Sequence, residues 1–394
     1  MPNALLTPQV ITREALRVLH QKANFIGSIN RQYDSRFAKS GARIGSSLDI
    51  RLPNEYVVRT GAVMVPQDTV EQKTQLSVTT QKGVDLSFTA VDLTMNLDDF
   101  STRIIEPAVS VLAANIEADA LSMANDVYNV VNNIGQTLNM RQMLLAKKRL
   151  TDSLAPSGTR NLLMNTQDTV DAIDNLKGLF QDSTQIAKQY REGVLGTTAG
   201  FGDIMENTIL GGTVTGSAAA ATGYTVSGAG QTGTALAITG GTATFKKGDV
   251  ITLGVNRVHP ETKADTGDLQ TFVVTADFAG GAGSLQIAPA IVATGARKNV
   301  VVSPASGTPI AKIGGAGAVY RPSLAYHKDA FTFATADLVM PDGVDWKARE
   351  TFDGISMRMV RQYNISNDTF PCRLDVLYGY KTLRAQLAAR ILSN

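Results

Sequence analysis

A chain of 394 residues with 37 Lys and Arg against 35 Asp and Glu has a formal charge of only +2, which excludes the clustered basic footprint of a dedicated nucleic-acid reader. Its single cysteine, Cys372, excludes an intrachain disulfide framework. At about 100–200 residues per domain the length calls for two or three structural units.

The opening Met1-Pro2-Asn3-Ala4-Leu5-Leu6 has no basic n-region and no long apolar h-region, so no secretory signal is expected. Thr12 is placed to cap a helix running to Asn24, with Ala15, Leu16, Leu19 and Ala23 on one face. The polar stretch Asn30–Ser47 reads as an extended arm. From Leu48 to Met95 apolar residues alternate with polar ones (Leu48, Ile50, Leu52; Leu76, Val78; Val84, Leu86, Phe88), which predicts a long hairpin or small sheet, half exposed. Its apolar surface is modest, so a partner outside the hairpin is expected to cover it.

Pro107 suits the first turn of a helix. Val111, Leu112, Ile116, Ala120, Met123, Val127, Val130, Val131 and Ile134 then keep helical spacing up to Gly135, predicting a spine of about 40 Å. The apolar stretch Ala108–Ala124 carries Glu117 and Asp119 and is not a membrane span. Helices are predicted at Met140–Leu154, at Thr166–Phe180 with Thr166 as N-cap, and at Ser183–Glu192; strands at Asn161–Met164 and Asp203–Glu206.

An abrupt change of composition follows. No charged residue occurs between Glu206 and Lys246, and a Gly/Ala/Thr-rich segment extends from about Thr208 to Gly317. Both flanks are dense in charge, so one domain is inserted in another. Strands are expected at Ala235–Thr239, Asp249–Leu253, Thr271–Thr275, Leu285–Ile287 and Val300–Val302, enough for a small barrel or sandwich. A polar loop, Gly254–Asp268, holds Arg257, His259, Glu261, Lys263, Asp265 and Asp268. After Gly317, Ser323–Tyr326, Gly354–Tyr363 and Cys372–Leu377 read as strands and Thr382–Leu392 as a closing helix.

No catalytic constellation emerges. There is no phosphate loop and no strand–Gly-x-Gly-x-x-Gly–helix unit. His20, His259 and His327 share no metal-ligand spacing. Cys372 lies within a strand pattern and reads as a small buried side chain. Asp98 and Asp99 precede the spine helix and complement its positive end more readily than they serve acid/base chemistry. No cofactor or metal is expected.

The order of parts, with Ser323-Leu324-Ala325-Tyr326-His327-Lys328-Asp329-Ala330-Phe331 and Arg373-Leu374-Asp375-Val376-Leu377-Tyr378-Gly379, resembles the major capsid (coat) protein of tailed double-stranded DNA phages. That family has the Hong Kong ninety-seven type capsid fold. Lys247-Gly248-Asp249-Val250-Ile251 and Phe272-Val273-Val274-Thr275-Ala276 are similar to the insertion domain of a short-tailed-phage coat subgroup. The resemblance implies an α+β fold with an N-terminal arm (1–45), an extended E-loop hairpin (46–95), and a spine helix with peripheral domain (96–139 and part of 340–372). It further implies an axial domain (140–207 and 318–394) and an inserted all-β, barrel-like domain (208–317).

The resemblance also implies self-assembly into pentamers and hexamers of an icosahedral head. The implied partners are a scaffolding protein, a portal protein at one vertex and packaged double-stranded DNA held without base specificity, with no membrane. The protein would be assembled in the host cytoplasm and reside in the virion. Some relatives crosslink through a Lys–Asn pair; no such pair maps onto this sequence from the resemblance, so assembly is expected to be non-covalent. Intersubunit contacts are expected at Arg31, Arg36 and Arg43 of the arm, at Leu86 and Phe88 of the hairpin, and at Arg257, Glu261, Lys263, Asp265 and Asp268. Gly/Thr-rich β modules also build tail fibres and adhesins that bind host glycans; an elongated trimer in solution would mark that alternative.

Overall fold

The computed structural model describes residues 8–33, 45–88, 104–176, 197–352, 355–366 and 369–393. The predicted helix Ser183–Glu192, the pair Asp98 and Asp99, and the arm residues Arg36 and Arg43 lie outside the described residues. In chain order come α1 (Pro8–Lys22), α2 (Asn24–Ser28), β1 (Ser46–Leu52), β2 (Gln72–Val78), β3 (Thr80–Phe88) and α3 (Glu106–Leu121). Then follow β4 (Val130–Asn132), α4 (Met140–Asp152), β5 (Arg160–Met164), α5 (Thr166–Leu176), β6 (Asp203–Glu206) and β7 (Thr213–Val214). The insert supplies β8 (Ala221–Val226), β9 (Gly233–Thr239), β10 (Val250–Val258), β11 (Asp265–Val274), β12 (Gly283–Ile291) and β13 (Pro309–Lys312). The remainder gives β14 (Val319–His327), β15 (Phe331–Ala336), β16 (Trp346–Phe352), β17 (Ile355–Arg361), β18 (Phe370–Thr382) and β19 (Ala388–Ser393).

These elements form two units, one of Met1–Arg51, Lys73–Leu121 and Phe331–Leu383, the other of Leu52–Gln72, Ser122–Ala330 and Arg384–Asn394. In the first, the long strand β18 pairs with β3 over Phe370–Tyr378, with β17 over Cys372–Asp375 and with β15 over Leu377–Thr382. Helix α1 buries Ala15, Leu16 and Leu19 of the face its spacing predicted, together with Ile11, and packs on α3 and β16. Thr12 is not its cap. It lies inside the helix, fully buried, and its hydroxyl donates to Met359 Sδ. Two carboxylates on α3 bind it to its neighbours: Glu117 Oε1 accepts the Phe25 N–H at 2.8 Å, and Asp119 pairs with Lys82 at 2.7 Å and accepts the buried Tyr378 hydroxyl.

The hairpin is shorter than predicted. Only β1 and β2 form a separate two-stranded sheet, whereas β3 belongs to the β18 sheet. Leu86 and Phe88 therefore lie opposite Cys372 and Phe370 in that sheet, not on a projecting hairpin. The alternation that identified them is that of any half-buried strand. The base of the hairpin is covered from outside the hairpin, as expected, and by the same chain: Ile50, Leu76 and Val78 pack with Ala334, Leu338 and Leu377 of the same unit.

In the second unit the strand order is β4-β19-β14-β5-β6, with β7 also on β14. Strand β14 is antiparallel to β19 and β5, while β4 runs parallel to β19 and β6 to β5. The spine helix ends at Leu121 rather than Ile134. Val130 and Val131, though at helical spacing, are β-branched and form β4 beside Ile391. The predicted closing helix is instead the strand β19, all six residues buried. A strand covered on both faces shows a continuous apolar run, which periodicity cannot separate from a helix. Helix α5 is capped by Asn165, not Thr166: Asn165 Oδ1 accepts the Asp168 N–H at 2.8 Å.

The insert is a closed six-stranded barrel, β10-β11-β12-β9-β8-β13. Ile251, Leu253, Phe272, Val274, Leu285, Ile287, Leu236 and Ile238 fill it, following the period-two alternation of its strands. Most of the predicted polar loop is strand, since β10 extends to Val258 and β11 starts at Asp265. Val300 makes only an isolated bridge to Arg257, so the predicted strand Val300–Val302 is absent.

His327, at the end of β14, is buried. The Asp329 N–H donates to its Nδ1 at 3.3 Å, which places the ring proton on Nε2, 2.9 Å from Thr159 Oγ1. Burial holds the imidazole below its ordinary value of 6.5; Asp329 opposes this and Lys328, Arg160 and Arg384 reinforce it. The unfolded chain thus binds the proton first, and stability is complete above about pH 6.5 and declines as pH falls below it. His327→Gln should flatten that decline in urea titrations run between pH 7 and pH 5; an unchanged slope would exclude His327 as its source.

Candidate functional site

Among the described residues no group of three or more His, Cys, Asp or Glu could hold a metal ion; the candidate surfaces are those that hold the barrel and those left exposed. The first is the neck through which the chain enters and leaves the barrel. The Thr215 N–H donates to Ala318 O and the Gly317 N–H to Gly216 O, so the two crossings lie side by side. Asp249 Oδ2 accepts the N–H groups of Gly216 and Lys246 at 3.0 and 2.9 Å. Lys312 Nζ donates to Gly216 O, and Arg390 Nη2 to Gly248 O, each at 3.0 Å. Gly216 admits this convergence because a Cβ there would overlap the Thr244 carbonyl, and Gly248 sits at φ +96.

Asp249, Lys312 and Arg390 are all buried, Arg390 to 1% exposure. Burial lowers both cations, and Asp249 opposes the shift in each; Arg390 comes down to about 10 and stays charged at neutral pH. Around this neck Val250 and Val273, the outward neighbours of Ile251 and Phe272, pack on Val130, Tyr320 and Leu392. At about 1.5–3 kcal/mol per fully buried side chain, this seam carries the apolar part of the docking.

A second set of charges lies beside the seam. Lys148 of α4 pairs with Asp152 at 3.0 Å and with Asp268 at 2.9 Å; Arg149 reaches Asp268 at 3.5 Å and Arg257 reaches Asp152 at 3.5 Å. The Lys148 bond holds the Asp268 carboxyl below its ordinary range, and Asp268 in turn raises Lys148. Arg257 and Asp268, expected at intersubunit contacts, are thus engaged within the chain. Asp265 is also tied locally, to the Gly267 N–H and to Asn256 Nδ2. Glu261 is exposed at the turn, its N–H donating to His259 Nδ1. Lys263 pairs with Glu55 at 2.9 Å. Arg31 is half-buried. Cys372 is buried, which pushes its thiol up to about 12 and leaves no thiolate for chemistry.

The third feature is the segment between β1 and β2. It is closed on itself by Gln67, whose side-chain amide exchanges two hydrogen bonds with the backbone of Val57. Beyond that clamp its apolar side chains face solvent: Val58 is 91% exposed, Val63 79% and Met64 76%, with Val65 also exposed. Periodicity carries no signal for this tip, because Val58, Val63, Met64 and Val65 do not alternate with polar residues.

A family model described as P22 coat protein, gene protein 5, matches residues 31–390. The chain belongs to the P22 coat protein family. It is a major capsid protein, a structural component of a phage virion, and the fibre or adhesin alternative falls away. No curated protein matches it. Among solved structures it is similar to one from Mycobacterium phage Che8, at 12% identity and a TM-score of 0.47, covering 94% of this chain and 90% of the other. It is also similar to the mature capsid of bacteriophage PhiM1, at 8% identity and a TM-score of 0.43 over 88% and 82%. The capsid of cyanophage P-SCSP1u gives 10% identity and a TM-score of 0.41 over 90% and 84%. Among the described residues no helix of this coat protein is long and apolar enough to cross a membrane.

Two outcomes are expected of the neck. Asp249→Ala removes the carboxylate facing Lys312 and Arg390, and urea unfolding should show a loss of about 3–5 kcal/mol; a loss below about 1 kcal/mol would mean that the buried charges do not depend on Asp249. Because the two crossings adjoin, residues 213–320 expressed alone should fold, giving a dispersed NMR spectrum. A random-coil spectrum would show that the barrel needs its host.

Proposed function

We propose that this coat protein assembles through the tip between β1 and β2 into the pentamers and hexamers of an icosahedral head. A scaffolding protein assists assembly, a portal protein occupies one vertex, and the enclosed double-stranded DNA is contacted without base specificity. Assembly takes place in the host cytoplasm. The Hong Kong ninety-seven type arrangement of arm, E-loop, spine, peripheral and axial parts, with the barrel inserted in the axial part, belongs to the same reading.

The observation that carries it is the exposed row Val58, Val63, Met64 and Val65. A soluble subunit gains nothing from several apolar side chains held in water on one segment, and such a patch marks a contact surface. In a closed shell each copy's patch is covered by a neighbour, and the same contact recurs around every ring. The near-neutral charge of +2 agrees with a shell that encloses DNA without gripping it.

The test is the double variant Val63→Asp/Met64→Asp, co-expressed with the scaffolding protein. The subunit should stay soluble with its thermal midpoint unchanged, while sedimentation and negative-stain microscopy find no shells. Shells at wild-type yield would refute the assignment. Leu86→Asp is expected to act differently, because Leu86 belongs to the β18 sheet: it should lower the thermal midpoint of the subunit itself.

A further inference from the structure

The barrel meets its host at a second place besides the neck, and there the side chains leave a hollow. Its volume is about 100 Å³, and Tyr128, Ser153, Arg257, Lys263, Arg297 and Lys298 are among the residues that line it. By the share of liquid volume each water takes, that is room for about three waters. Arg257 and Lys263 come from the end of β10 and the turn after it, Arg297 and Lys298 from the turn after β12. Tyr128 precedes β4 and Ser153 follows α4, so the host supplies the other wall. All of these residues belong to the second unit.

The walls are fixed. Asn299 closes the turn after β12: its Oδ1 accepts the Val292 N–H at 2.9 Å and its Nδ2 donates to Ala290 O at 2.7 Å. The Lys263 N–H donates to His259 O at 3.0 Å, with Lys263 held at φ 59, a conformation a non-glycine residue keeps only where its surroundings impose it. On the host side Asn129 Nδ2 donates to the carbonyls of Gln386 and Ala388.

Hydrogen-bond donors without acceptors face this hollow. The Arg257 side chain is only 8% exposed, a depth that cations reach only when well paired. Its one ion pair, to Asp152, is 3.5 Å long, and among the described residues its guanidinium makes no hydrogen bond. Its N–H groups are not sealed in protein, as Arg390 Nε is, but open on the hollow. Ser153 is buried, and its hydroxyl has no partner among the described residues. Nor has the Tyr128 hydroxyl; burial pushes it up to about 12 against the pull of Arg257, so it keeps its proton and can donate. Arg297 and Lys298 have no ion pair among the described residues. The acidic side chain of the lining is Glu55, 51% exposed, which meets Lys263 at 2.9 Å. Behind the lining, Asp152 and Asp268 are shared among Arg257, Lys148 and Arg149, and Asp265 is held chiefly by the Gly267 N–H and Asn256. Positive charge is therefore left over in the hollow.

We propose that this hollow binds a small tetrahedral oxyanion of the phosphate class, held by Arg257, Lys263 and the hydroxyls of Tyr128 and Ser153, with Arg297 and Lys298 adding charge. The guanidinium fork matches two oxygens of a phosphate. Donors arriving from both walls suit four oxygens in a tetrahedron better than the two of a planar carboxylate. The volume admits one such group and leaves no room for a base and sugar behind it. The anion bridges barrel and host, so it stabilises the folded subunit by mass action. Glu55 is its competitor for Lys263.

The probe is inorganic phosphate, titrated into the full-length unassembled subunit and followed by the 31P linewidth and the thermal midpoint. Chloride at equal ionic strength and a short DNA duplex are the comparison arms. Phosphate should broaden and raise the midpoint saturably where chloride does not. Tyr128→Phe and Ser153→Ala each delete one hydroxyl; each should keep its midpoint in chloride and weaken phosphate binding about tenfold, the size of one hydrogen bond to a charged group. Glu55→Gln removes the competing carboxylate and should tighten binding severalfold. Equal effects of phosphate and chloride would overturn the site, as would undiminished phosphate affinity in both hydroxyl variants. Binding of the duplex in place of phosphate would overturn the assignment to a small anion.

Discussion

Much of the second unit depends on one constraint. A long insert must leave a sheet and return to it at a single point without turning on its attachment. The apolar seam around Val250, Val273, Val130, Tyr320 and Leu392 supplies attraction, but apolar contact is non-directional. Hydrogen bonds are directional, and the neck has them from three buried charges onto the backbones of Gly216, Lys246 and Gly248. Burying a lone charge costs several kcal/mol. Asp249, Lys312 and Arg390 are tolerated together because each answers another or a carbonyl, and in doing so they accept one orientation of the barrel.

The barrel was legible in the sequence because its composition changes at both boundaries and its strands alternate. Val250 and Ile251, or Phe272 and Val273, show why alternation was only half the information. Neighbouring residues enter two different cores, the barrel interior and the seam, and a pattern of apolar residues does not say which. The face of α1 was legible for the same reason as the barrel. Strand β19 was not, because a strand buried on both faces loses the period that would identify it. Nor were the partners of Asp268 and Arg257: α4 lies far away in sequence, and a polar run carries no address.

The charges also divide by exposure. At the neck they are buried and reciprocal; beside α4 Lys148, Asp152 and Asp268 are half-exposed and redundant, with Lys148 serving two carboxylates. The first kind fixes an attachment and the second trims it. Charges that looked free for a neighbouring molecule also have partners within the chain, and the apolar tip, which carries little charge, is among the surfaces the described residues leave open.

Strand β19 lies between β4 and β14, and both are made before it on the ribosome. At about 5–20 residues per second, the interval between Lys312 and Ser393 is on the order of 10 s. A barrel that folds alone, as expected above, closes during that time while the sheet that hosts it still lacks β19. The guest therefore precedes its host in time, although the host brackets it in sequence. A vacant slot between two strands is open to any extended peptide, so the nascent chain passes through a period of exposure to wrong partners. It ends when residue 390 arrives and finds the carbonyl of Gly248, already in place on the barrel.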